Sequence, residues 1–105
     1  MYKQGVIMWE LYVFGILAGL LVANGIPHFI KGGMGQRHQT PFRKSSSAIV
    51  NVIWGWINFA LAALSLHFAH VWAHEYRGFV LFAVGALVMT LFNAAVWSKH
   101  PEFNK

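Results

Sequence analysis

The chain has 105 residues, 57% of them hydrophobic and 10% charged, with a net charge of +5. A soluble domain carries about 25% charged residues, so this composition excludes a water-soluble sphere and points to lipid as the solvent of a single domain, residues 1–105. The absence of cysteine excludes disulfide scaffolds, thiol redox chemistry and thiolate metal sites.

The first apolar stretch runs over about residues 5–24. Glu10 interrupts its start, and Leu21 and Ala23 do not form a small-x-small cleavage site, so a retained span is expected rather than a signal peptide. Gly25 and Pro27 follow and are expected to end or kink the helix. If the helix continued through the proline, His28 could pair with Asn24; otherwise it lies in the headgroup layer.

A basic, glycine-rich loop over residues 31–46 comes next. It lacks the Gly-Lys-Ser/Thr ending of a phosphate-binding loop, so its glycines serve a tight turn. Lys31, Arg37, Arg43 and Lys44 are flanked by apolar spans, which favours anionic lipid over nucleic acid as their partner. Ser45, Ser46 and Ser47 offer N-caps for a second span over about residues 47–68. A third span covers about residues 76–97, and the short link between the two predicts an antiparallel hairpin. Each span is close to the roughly 20 residues that cross a bilayer as a helix, so the fold expected is an all-α membrane protein with three transmembrane helices.

Lysine and arginine counts set the orientation. Lys31, Arg37, Arg43, Lys44, Lys99 and Lys105 fall on one side of three spans, and Lys3 and Arg77 on the other. That asymmetry predicts an N-terminus outside and a C-terminus inside a membrane, in keeping with a bacterial inner membrane. Trp9, Tyr12, Trp72 and Tyr76 would mark the outer interface, and Phe29, Phe42 and Trp97 the inner one.

Small and polar residues recur at helical steps. Gly15, Gly19 and Ala23 do so in the first span, Asn51, Gly55, Asn58, Ala62 and Ser65 in the second, and Ala83, Ala86, Thr90 and Asn93 in the third. Small residues let helix backbones approach, and amides bond across helices, so these stripes suit internal packing, an oligomer interface or a polar pocket. In the expected topology Asn24, Asn51, Thr90 and Asn93 share one depth, where they could close on each other or around a headgroup.

Three candidates for chemistry remain. Glu10, the one acidic residue within a span, suits a proton or cation site if deep, and a wet interfacial position if shallow. His67, His70 and His74 would share a face if the second helix continued, which suits a metal ion or haem. A turn in that segment would scatter them. No nucleophile, base and orienting group stand at an enzyme spacing, and the chain has no aspartate, so neither catalysis nor an obligate cofactor is expected.

The stretch ANGIPHFIKGGMGQRHQTPF, followed by SSAIVNVIWGWIN, resembles small uncharacterised bacterial integral membrane proteins with a Gly-x-Pro-His-Phe segment. The resemblance covers Asn24 to Asn58 and implies that the first loop and the start of the second span belong together. It brings no activity with it. The functional expectation is therefore an accessory subunit or homo-oligomer acting through helix contacts, with an oligomeric transporter or channel, or a histidine-based metal or haem protein of a membrane redox complex, as alternatives.

Overall fold

In the computed structural model the backbone is described for residues 4–70 and 76–99, with side chains from Trp9 onward. The described residues form three helices, α1 (Gln4–Gly33), α2 (Ala48–Phe68) and α3 (Tyr76–Trp97). Each is long and apolar enough to cross a membrane, and the protein is an all-helical multi-pass membrane protein. Among the described residues there is no sheet, only one isolated antiparallel bridge between His38 and Ser46.

α1 does not end at Gly25 and Pro27. It runs on for 30 residues with Pro27 inside it. Proline has no N–H, so one intrahelical bond to the Ala23 carbonyl is lost. Contacts with α2 on both sides of the proline hold the helix together. Gly25 and Gly32 lie so close to α2 that a methyl group on Gly25 would sit 2.9 Å from Asn58 Cβ, and one on Gly32 2.5 Å from Ala48 O.

The helix stops two turns later. Gly35 has φ 76°, its N–H donates to Gly32 O at 2.9 Å, and Gln36 N–H donates to Lys31 O at 2.9 Å. This is a Schellman cap, which needs the left-handed conformation that glycine supplies without strain. Of the three candidate serines, Ser47 caps α2 by accepting from Val50 N–H at 3.2 Å. The segment between the caps folds on itself: His38 and Ser46 exchange both backbone bonds, and Thr40 N–H donates to Arg43 O.

α1 is the central helix. α2 packs antiparallel to it, with Phe14 on Phe68 at one end and Gly32 against Ala48 at the other. α3 packs parallel to it, from Gly15 against Leu81 to Gly19 against Ala86. The main helix contacts are α1 with α2 and α1 with α3, so α1 supplies the packing surface that joins α2 and α3. Their antiparallel directions are compatible with a hairpin, whose link lies outside the described residues.

The buried face of α2 consists of Asn51, Gly55, Asn58, Ala62 and Ser65. On α3 the buried residues are Gly78 and Gly85. A methyl group on Gly19 would collide with Phe82 O, and one on Gly85 with Ile16 O. Backbone approaches backbone there, the packing that small residues permit in lipid.

Gly19→Ala and Gly85→Ala should therefore each destabilise the bundle by about 1–3 kcal/mol, the usual cost of overpacking. Gly33→Ala, where nothing lies within 4 Å, is the control. Thermal unfolding in detergent should rank the first two well below the wild type and leave Gly33→Ala close to it.

Candidate functional site, a polar cluster at the loop end of the bundle

Residues from α1, the loop and α2 converge on one buried side chain, Asn51. Its Nδ2 donates to His38 O at 3.0 Å, Ser46 O at 3.2 Å and Ser47 O at 3.0 Å. Two amide hydrogens shared by three carbonyls fix the orientation of the amide. Its Oδ1 therefore faces His28 Nδ1, 2.8 Å away, and can only accept. His28 then carries its proton on Nδ1, and the neutral ring keeps Nε2 as an acceptor. The continued α1 helix brings His28 to Asn51, not to Asn24.

A second amide pair lies deeper. Asn58 Nδ2 donates to Trp54 O at 2.9 Å, so its Oδ1 accepts from Asn24 Nδ2 at 3.2 Å. By the same reasoning Asn24 keeps its Oδ1 uncommitted.

Around these pairs the loop closes with Thr40 Oγ1 and Ser46 Oγ 2.6 Å apart, both residues buried. The His38 ring stands 5.4 Å from His28 and 4.5 Å from Trp97, centroid to centroid. Trp97 thus ties the end of α3 to the loop rather than serving as an interfacial anchor alone. Between these elements is a cavity of about 460 Å³, lined in part by Asn24, His28, His38, Trp54, Asn93 and Trp97.

The other sequence candidates divide. Asn24 and Asn93 line the cavity, and Asn51 forms its supporting shell. Gly15, Gly19, Gly55 and Asn58 serve helix contacts. Thr90 is exposed, and its hydroxyl donates to Ala86 O of its own helix, so it joins no amide cluster. Arg37 bonds Ser45, with Nε to Oγ at 3.1 Å and Nη2 to the carbonyl at 2.7 Å. Arg43 and Lys44 are exposed on the loop, and Lys31 is half-buried on the last turns of α1.

At the opposite end His67 and His70 do not share a helix face. α2 stops at Phe68, His67 is exposed, and His70 follows the cap with φ 53°. His74 lies outside the described residues. His70 Nε2 sits 3.8 Å from Glu10 Oε2, an ion pair only when the imidazole is protonated. Glu10 is therefore held at the bundle end rather than deep in a span. Among the described residues no three His, Cys, Asp or Glu side chains gather as a metal site.

Sequence spacing singled out Asn24, Asn51 and Asn93 but not His38, Thr40, Ser46 or Trp54. Nothing local marks a histidine in a basic loop as the lid of an amide cluster. Comparison with family models, curated proteins and solved structures finds no match to this chain.

Asn51→Leu would leave His28 Nδ1 without its acceptor and remove the second of two hydrogen bonds at the carbonyls of His38, Ser46 and Ser47. A loss of about 1–3 kcal/mol is expected from the one unsatisfied buried donor, read as a drop in unfolding temperature. Acid should act on the same cluster. Burial, then the nearby His28 and Lys31, lower the His38 pKa to about 4. An unfolded histidine titrates near 6.5. Between those values the unfolded chain binds a proton that the folded chain refuses, so stability falls as pH drops from 6.5 towards 4 and is level above about 7. Unfolding temperatures in detergent across that range check this, and His38→Gln should flatten the slope.

Proposed function

We propose that the chain is a non-catalytic subunit of a bacterial inner membrane, acting through helix–helix contacts in a homo-oligomer or as an accessory component of a larger complex. The observation that carries this reading is the outward side of α3. Ala83, Thr90 and Ala94 recur there at seven- and four-residue steps, and all three are exposed. Exposed apolar surface alone does not drive association in lipid, but a small-residue face lets a further helix come close. Gly15, Gly19, Gly25 and Gly32 of α1 and Gly55 and Ala62 of α2 are used inside the bundle, whereas these three residues of α3 recur on an exposed face.

The charge distribution supports an N-terminus-out, C-terminus-in orientation. The His38–Trp97 contact puts the loop and the end of α3 at one end. Lys31, Arg37, Arg43, Lys44 and Lys99 belong to that end, and Arg77 to the other. Positive charge favours the inner face, where anionic headgroups would meet the loop.

A transport role draws less from the geometry, because Glu10 pairs with His70 instead of lining a route. A metal or haem role draws less from the geometry too, because α2 ends between His67 and His70.

Cysteine scanning is clean in a chain without cysteine. Ala83→Cys and Ala94→Cys should give disulfide-linked dimers in native membranes or cross-link a foreign subunit, whereas Ile57→Cys on the lipid side of α2 should not. A monomer by native mass spectrometry with no cross-linked neighbour would remove this reading. Lys44→Cys should react with an impermeant maleimide only after the inner membrane is opened.

A further inference from the structure

The cavity at the loop end has a definite hydrogen-bonding character. Its supporting bonds orient two wall groups as acceptors, His28 Nε2 and Asn24 Oδ1, and neither has a hydrogen-bond partner among the described residues. Asn93 adds an amide whose side chain makes no hydrogen bond among the described residues. No lysine, arginine, aspartate or glutamate lines the cavity, and the remaining walls include the rings of His38, Trp54 and Trp97.

Each feature narrows the ligand. Without a cation in its walls the cavity gives a phosphate or carboxylate nothing to pair with. Without a carboxylate, and with Lys31 close enough to disfavour charge on His38, it does not suit an ammonium group. A metal ion would find no third side-chain ligand of the usual kinds among the described residues. A neutral, flat head that donates hydrogen bonds meets the acceptors and the aromatic walls together.

A second hollow, also of about 460 Å³, adjoins the first at Pro27 and Asn93. Val22, Ala23, Ile26, Phe82 and Ala86 make it almost wholly apolar. Both volumes fall within the roughly 300–1,000 Å³ of small-molecule sites. Together they form a polar seat with an apolar channel beside it, on a chain whose surroundings are lipid.

We infer that this paired hollow binds a membrane-soluble hydroquinone, its two ring hydroxyls donating to His28 Nε2 and the Asn24 carbonyl oxygen and one of them accepting from the Asn93 amide, and its tail lying against Val22, Ile26 and Phe82. The dihydroxy form is the one favoured, because it supplies donors to His28 Nε2 and Asn24 Oδ1, which a quinone cannot, while its oxygens can still accept from the amides of Asn93 and Gln39 in the same walls. This inference does not rest on the subunit reading, since residues of one chain line both hollows.

The test uses the full chain in lipid nanodiscs. Binding of radiolabelled decylhydroquinone, kept reduced under argon, is measured against empty nanodiscs and against its dimethyl ether, which has a similar shape but no donor. Saturable binding of one diol per chain is expected, with the ether about tenfold weaker or more. His28→Asn can keep the bond to Asn51 Oδ1 while removing the Nε2 acceptor, and Asn93→Ala removes an amide that supports no helix. Each should weaken diol binding about tenfold, the loss of one buried hydrogen bond, with unfolding temperatures within about 3 °C of wild type. No saturable binding above empty nanodiscs, equal binding of diol and ether, or diol binding unchanged in both variants would each overturn the assignment.

Discussion

Asn51 has a single amide group, and three parts of the chain use it. Through Nδ2 it holds the backbone of the loop at His38 and Ser46 and the start of its own helix at Ser47. Through Oδ1 it holds His28 of α1. In hydrocarbon an unsatisfied polar group costs several kcal/mol, so such a group either finds partners or the local fold gives way. The loop conformation, the continuation of α1 past its proline and the tautomer of His28 all depend on this one bonded set.

The rest of the bundle is held by close approach. Gly19 meets the backbone of α3 near Phe82, Gly85 meets that of α1 near Ile16, and Gly25 and Gly32 bring α1 against α2. Lipid tails are as apolar as leucine, so helices gain little by hiding Leu, Ile and Phe from them. Glycine permits dispersion contact along the whole backbone, which is why the buried helix faces consist mainly of Gly, Ala and the two amides, with Leu11 the large apolar side chain buried among the described residues. Large apolar side chains such as Ile49, Phe79 and Leu91 face outward, 73%, 76% and 61% exposed. In a soluble protein that surface would cause aggregation; here it faces acyl chains.

The two ends differ in chemistry. At the loop end, amides and imidazoles are buried, oriented and mutually bonded beside a cavity. At the other end Glu10 and His70 meet in a half-exposed pair. Oriented acceptors without charge recognise a neutral donor, whereas Glu10 and His70 face each other close to solvent. Thr90 of the exposed α3 face also borders the apolar hollow, so a helix packed on that face would lie beside it.

The sequence by itself determined the solvent, the number of helices and the inward face of α2. Three long apolar stretches and a 10% charge content leave no other way to satisfy the backbone. The four-three-four-three spacing from Asn51 to Ser65 marks the residues that α2 buries. The end of α1 was not legible, because Pro27 breaks a helix locally and only contacts with α2 decide that it continues. The fate of the histidines was hidden too: a cap at Ala69 separates His67 from His70, and a loop fold brings His38 to His28. Periodicity within one helix is local, and the sequence carries it. Which amide meets which imidazole depends on how segments more than twenty residues apart are docked, and only the tertiary structure decides that.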